Sequence, residues 1–235
     1  MKRILTPNTN FVSFGAQHWA MLLTIVLFSI LLPFFAIHFL DQAQQLYLVR
    51  AISIILALTV VLWIAIRIKL GEFDKTTDLP LDFCNLSALL MPMLMWHPTL
   101  AIHEILFFWI LTGTFLASVT PYLQNGFPHF TFLKYWIVHG GLVVLTIYHT
   151  AVFDLQPEWM SVLRSFAWLN VYTLVMWIAN KLVGSNYFYL LGKPPAPTLL
   201  DYFGPWPWYL LVCWGLALIF FTLIYIALSV IKSTF

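Results

Sequence analysis

"QHWAMLLTIVLFSILLPFFAIHFL", residues 17–40, contains no Asp, Glu, Lys or Arg. A helix needs about 20 mostly apolar residues to cross the roughly 30 Å hydrocarbon core of a bilayer. Six further runs of this kind follow, near 47–68, 80–97, 101–122, 132–153, 162–183 and 206–231. Inside hydrocarbon a segment must satisfy its own backbone polar groups, which for runs of this length means helix. The expectation is an all-α, polytopic membrane helix bundle with about seven transmembrane helices, a single transmembrane helical domain over 1–235. No internal repeat and no soluble domain are visible.

Composition agrees. Of 235 residues, 62% are hydrophobic and 9% charged, against roughly 45–50% and about 25% in soluble domains. Mean hydropathy is +0.90. A formal net charge of +2 argues against a nucleic-acid partner. The two cysteines, Cys84 and Cys213, both lie in apolar runs, so no disulfide framework is indicated. Lys2 and Arg3 precede an apolar run that starts too late and extends too far for a cleaved signal peptide. It reads as a retained first span.

Seven spans place the ends on opposite sides. One side then carries Lys2, Arg3, Arg67, Lys69, Lys75, Lys134, Lys181 and Lys193, the other Arg50, Arg164 and Lys232. The excess of basic residues marks the first side as cytoplasmic, with the N-terminus inside. The longest link, "LGKPPAPTLLDYFGPWPW" from residue 191, falls on that side, and its Pro and Gly content suggests an ordered turn.

Depth sorts the polar residues. With the third span starting at Pro80, Cys84 lies about 6–8 Å into its helix, in the second turn, and His139 roughly 10 Å along the fifth span. The helix dipole fades beyond the first turn, so it would help Cys84 little. A thiol becomes a useful nucleophile as thiolate, and an imidazole within reach can take its proton. Cys84 is therefore either a nucleophile served by His139 or a small hydrophobe in a core. Gly140 and Gly141 after His139 allow close approach of either another helix or an acyl chain. Asp82 either orients an imidazole or makes a polar contact with a neighbouring span. Asn85 either donates to an oxyanion or bridges helices. His18 lies at a similar depth as a second candidate base. Asn186, Tyr187 and Asp201, near the same face, are candidate head-group contacts.

A second polar group, His38, Asp41, His97, His103, Glu104, His149 and Asp154, falls at the opposite ends of the spans. Such residues can ligate zinc, which leaves a metal-dependent intramembrane lipid hydrolase as an alternative. No spacing such as H-E-x-x-H supports a metal, and no cofactor motif is present. A transporter or lipid-binding protein without catalysis is a third reading, to which seven spans without a repeat lend little support.

At "LPLDFCNLS", "KYWIVHGG" and "NYFYLLGKPPAPTLLDYFGPWPWY" the chain resembles the bacterial YwaF-type membrane proteins. These are relatives of transmembrane protein 164, a eukaryotic phospholipid acyltransferase. More distantly it is similar to the androgen-induced membrane hydrolases of fatty-acid esters, which use a threonine and a histidine. The resemblance covers nearly the whole chain. It implies Cys84 as nucleophile, His139 as base, no cofactor and location in a bacterial cytoplasmic membrane. The implied activity is acyl transfer or acyl hydrolysis through a cysteine thioester, on a membrane phospholipid or lysophospholipid.

Overall fold

The computed structural model describes residues 2–8, 10–194 and 198–234. A short helix α1 (Lys2–Leu5) precedes the first long helix, α2 (Ala16–Phe39). Then come α3 (Gln42–Lys69), α4 (Phe83–Trp96) and α5 (Leu100–Trp109). A widened π turn (Ile110–Thr114) joins α5 to α6 (Phe115–Val119), which continues the same rod. α7 (Phe130–Val152), α8 (Trp159–Val183) and α9 (Trp208–Thr234) complete the bundle. No strand occurs among the described residues.

Local chemistry accounts for several boundaries. α3 starts at a reciprocal cap: the Gln44 backbone N–H donates to Asp41 Oδ1 at 2.8 Å, and the Asp41 N–H donates to Gln44 Oε1 at 3.0 Å. α3 ends with Arg67 and Lys69, cations that suit the negative end of a helix. α8 stops at Gly184, whose left-handed backbone (φ 76°) closes the helix.

Six helical rods are long and apolar enough to cross a membrane: Ala16–Phe39, Gln42–Lys69, Leu100–Val119, Phe130–Val152, Trp159–Val183 and Trp208–Ile231. α4 is the exception. Its 14 residues extend about 21 Å at 1.5 Å per residue, short of a full crossing. The expected span over 80–97 is corrected here: residues 80–82 form a turn, and the helix begins at Phe83. Leu79, Pro80 and Leu81 are as apolar as a span requires. Their backbone is nevertheless diverted, with the Leu81 N–H bonded to Leu79 O at 2.7 Å.

α7 is the central helix and the most buried of the spans. It packs against α2, α3, α4 and α6, while α8 lies between α5 and α9. The main core joins Ile25 of α2, Leu56 and Val60 of α3, Ala88 and Met91 of α4, and Val138, Leu142 and Leu145 of α7. A Cβ on Gly140 would lie 2.9 Å from Ile25 Cγ1, and one on Gly141 would lie 2.5 Å from Leu56 Cδ2. The glycine pair therefore serves helix packing: it lets α2 and α3 close onto α7. Leu27, Phe28, Ile30, Leu31 and Phe34 of α2 are exposed, as a lipid-facing wall would be.

Candidate active site

The later start of α4 changes the setting of Cys84. Asp82 is the N-cap residue, and its carbonyl accepts the first helical bond, from the Leu86 N–H at 2.9 Å. Cys84 is thus the second residue of the helix and lies in the first turn, where backbone N–H groups lack helical partners. The expectation that Cys84 sits in the second turn, beyond the influence of the helix dipole, is overturned. An anion at this position faces the positive end of the helix.

The chain leading to α4 is clamped from three sides. Tyr187 Oη accepts the Leu79 N–H at 2.9 Å and donates to the Lys75 carbonyl at 2.9 Å. Burial pushes the Tyr187 phenol up to about 12, so it remains a donor throughout the physiological range. Tyr172 of α8 donates its hydroxyl to the Leu81 carbonyl at 2.9 Å. The Asp78 carboxylate receives Arg67 Nε at 3.0 Å and the Asp74 N–H at 2.9 Å. Phe83 meets Trp109 and Tyr172 edge-on, with ring centroids 5.3 and 6.0 Å away. Irregular backbone at membrane depth is tolerated where protein groups satisfy it, and these three clamps do so.

Cys84 is half-buried and packs against the core shared by α3, α4 and α7. His139 is buried on α7. Its Nδ1–H donates to the Tyr135 carbonyl at 2.9 Å, four residues back. Its ring stacks on Tyr135 with centroids 4.0 Å apart and planes 18° apart. Because a carbonyl only accepts, Nδ1 must carry the proton, and the neutral imidazole then presents its Nε2 lone pair. Among the described residues Nε2 has no hydrogen-bond partner, and no hydrogen bond joins His139 to Cys84.

The remaining predicted residues divide. Asn85 is buried beside Cys84, and among the described residues its Oδ1 has no hydrogen-bond partner. Asp82 carries no side-chain cap bond. His18 is fully buried with both nitrogens engaged: Nδ1 accepts the Phe14 N–H at 2.8 Å, and Nε2 donates to the Ser118 carbonyl at 2.9 Å. It joins the start of α2 to the end of α6. Asn186 closes its own loop through the Leu191 N–H (2.9 Å) and the Gly192 carbonyl (2.8 Å). Asp201 accepts the Thr198 N–H at 2.8 Å and lies 3.8 Å from Lys193. Residues 195–197 of that long link lie outside the described residues.

Sequence reasoning missed Lys134, Tyr135 and Tyr172 as neighbours of the site. Tyr135 was legible, since residues four apart share a helix face. Lys134 counted only as a marker of orientation, although its ammonium rests over the Trp63 ring of α3, 4.8 Å from the centroid.

The polar group at the other end of the spans is mostly engaged. Glu104 accepts Arg164 Nε at 2.9 Å and the Ser161 hydroxyl, tying α5 to α8. His103 donates from Nε2 to the Thr150 hydroxyl at 3.0 Å, because that hydroxyl is itself donating to the Thr146 carbonyl. Among the described residues no three His, Cys, Asp or Glu side chains group so as to hold a metal.

The fold and its clamped polar corner define a polytopic helical membrane protein with Cys84 at the start of α4 and a buried His139 on α7. Residues 13–225 match the model of the TMEM164 family, and the chain belongs to that family. No curated protein and no solved structure matches it.

Proposed function

We propose that the protein moves or hydrolyses the fatty acyl group of a membrane phospholipid or lysophospholipid through a thioester on Cys84, with His139 as general acid and base. The observation that carries this reading is the position of Cys84 in the first turn of α4, on the core wall shared with α7. On α7, His139 Nδ1 is held by the Tyr135 carbonyl, and among the described residues its Nε2 has no hydrogen-bond partner. Membership of the TMEM164 family is compatible with it, and "LPLDFCNLS" and "KYWIVHGG" support a place in the bacterial YwaF-type branch, in a bacterial cytoplasmic membrane.

His139 Nε2 takes the Cys84 thiol proton as the sulfur attacks the ester carbonyl, and the tetrahedral intermediate expels the lipid alcohol, which takes that proton from His139. The acyl group is now a thioester, with its chain in the apolar bundle. An acceptor hydroxyl, from a lysolipid or from water, gives its proton to His139 and attacks the thioester, releasing the Cys84 sulfur, to which His139 returns the proton. Little water in the site favours the lipid acceptor. The first-turn N–H groups of α4 and the Asn85 amide are the available donors for the oxyanion.

Intact mass spectrometry of the purified protein after incubation with native lipids is the test. The expected result is an acyl adduct that maps to Cys84, is absent in Cys84→Ala and persists in Cys213→Ala. Undiminished acyl turnover in Cys84→Ala would overturn the mechanism.

A further inference from the structure

Tyr135 meets His139 in two ways and ties the pair to a second helix. It lies four residues before His139 on α7, and its carbonyl takes the His139 Nδ1–H at 2.9 Å. Its ring stacks on the imidazole, with centroids 4.0 Å apart and planes 18° apart. Its hydroxyl donates to the Ala117 carbonyl of α6 at 2.6 Å. α6 is itself fixed there, because His18 of α2 donates to the next carbonyl, that of Ser118, at 2.9 Å. The backbone of α7 is pinned just beyond His139, where Gly140 and Gly141 let Ile25 and Leu56 close in. His139 is only 5% exposed, so its ring has little room to leave this platform.

A second histidine in the chain shows what is particular to this pair. His38 on α2 repeats the local geometry: its Nδ1 donates to the Phe34 carbonyl at 2.8 Å, and the two ring centroids are 4.2 Å apart with planes at 30°. The carbonyl bond and the stack are therefore open to any helix with an aromatic residue four positions before a histidine. Both His38 and Phe34 are exposed, and a phenylalanine has no hydroxyl to anchor. Burial and the bond to Ala117 set the Tyr135 pair apart. We propose that Tyr135 is the positioning residue for His139. Its carbonyl keeps the proton on Nδ1, its ring fixes the imidazole plane, and its hydroxyl locks that ring to α6. Nε2 then keeps the lone pair that a general base needs. The assignment rests on the reading of His139 as general acid and base. Tyr135 itself exchanges no proton, since its own is committed to a carbonyl.

The test compares Tyr135→Phe, which removes the hydroxyl alone, with Tyr135→Leu, which removes the ring as well, in the full-length protein in detergent micelles. Nitrogen NMR of protein carrying isotope-labelled histidine separates the two neutral tautomers, and His139→Gln assigns the signal. Wild type should show His139 as the Nδ1–H tautomer alone. Tyr135→Leu should add the Nε2–H tautomer, because an imidazole free to leave the carbonyl can carry its proton on either nitrogen. Its acyl turnover should fall by about 10²-fold in kcat, the cost of a catalytic group misplaced by about 1 Å, with KM little changed. Tyr135→Phe should show both effects to a smaller extent. If Tyr135→Leu fails to fold, Tyr135→Phe decides by the same tautomer signal. An Nε2–H tautomer in wild type, or an unchanged tautomer in the folded variant that decides, overturns the proposal. Because the tautomer is read without lipid, the expected pattern in a protein that never forms an acyl adduct would support Tyr135 while sinking the acyl-transfer reading. An adduct on Cys84 with neither tautomer nor kcat altered in the variants would do the reverse.

Discussion

Gly141→Ala tests the packing that presents His139. A new Cβ would lie 2.5 Å from Leu56 Cδ2, 3.3 Å from Cδ1 and 3.4 Å from Cγ. All three branch atoms of Leu56 are involved, so rotating one methyl group away brings another closer. Leu56 is also only 2% exposed and has no open side to move into. Overfilling a packed core costs about 1–3 kcal/mol, while exchanging Gly for Ala inside a helix returns about 1 kcal/mol. Gly215 on α9 has nothing within 4 Å of the same added atom, so Gly215→Ala should receive the helical gain alone. The difference between the two variants then isolates the clash, about 1–3 kcal/mol. Thermal unfolding in one detergent measures it, with Gly141→Ala the less stable. Leu56→Ala alone should cost about 2–5 kcal/mol, and the double variant should lose less than the sum of the single losses, since the added methyl occupies part of the space vacated. If Gly141→Ala is as stable as Gly215→Ala, α3 does not press on α7 at this point.

Three further outcomes are expected. His139→Gln should lower acyl turnover by roughly 10²–10⁴-fold with little change in unfolding temperature, and unchanged turnover would make the imidazole structural. Tyr187→Phe leaves the Leu79 N–H and the Lys75 carbonyl without their partner, at a cost of about 1–3 kcal/mol. Faster proteolysis within residues 70–82 would report it, and an unchanged digestion rate would show that the clamp is dispensable. A cysteine at the exposed Tyr202 should be shielded from an impermeant thiol reagent added outside intact cells, because the positive-inside count puts that link in the cytoplasm. Labelling from outside would invert the orientation.

The helical bundle was legible because long apolar runs leave few alternatives, and six of the seven runs correspond to helices of spanning length. The third did not, for a physical reason. Hydropathy weighs side chains, whereas Leu79, Pro80 and Leu81 are kept out of the helix by backbone bonds to Tyr187 and Tyr172, about 90–110 positions away. The error moved Cys84 by one turn and hid its position at a helix start. The candidate site was half legible. Cys84 and His139 stood out as reactive types at matched depth, but Tyr172, whose hydroxyl holds the Leu81 carbonyl just ahead of α4, is 91 positions along the chain from Leu81, and only the folded chain brings the two together. Asn186 and Asp201 look like ligand contacts in sequence, yet their polar atoms are consumed in closing the loops that carry them.

The π turn at Ile110–Thr114 bears on how relatives of this chain should be aligned. Such a turn accommodates one residue more than an α-helix of the same rise. The flanking segments α5 and α6 keep the orientation they would have without it. The carbonyls of Ala117 and Ser118, which take the Tyr135 hydroxyl and His18 Nε2, would thus stay in place if one residue were deleted between 110 and 114. A deletion elsewhere in the rod would turn them by about 100° and break both bonds. A one-residue gap at 110–114 in a relative, though inside an apolar span where gaps look like errors, is therefore compatible with an unchanged inner end.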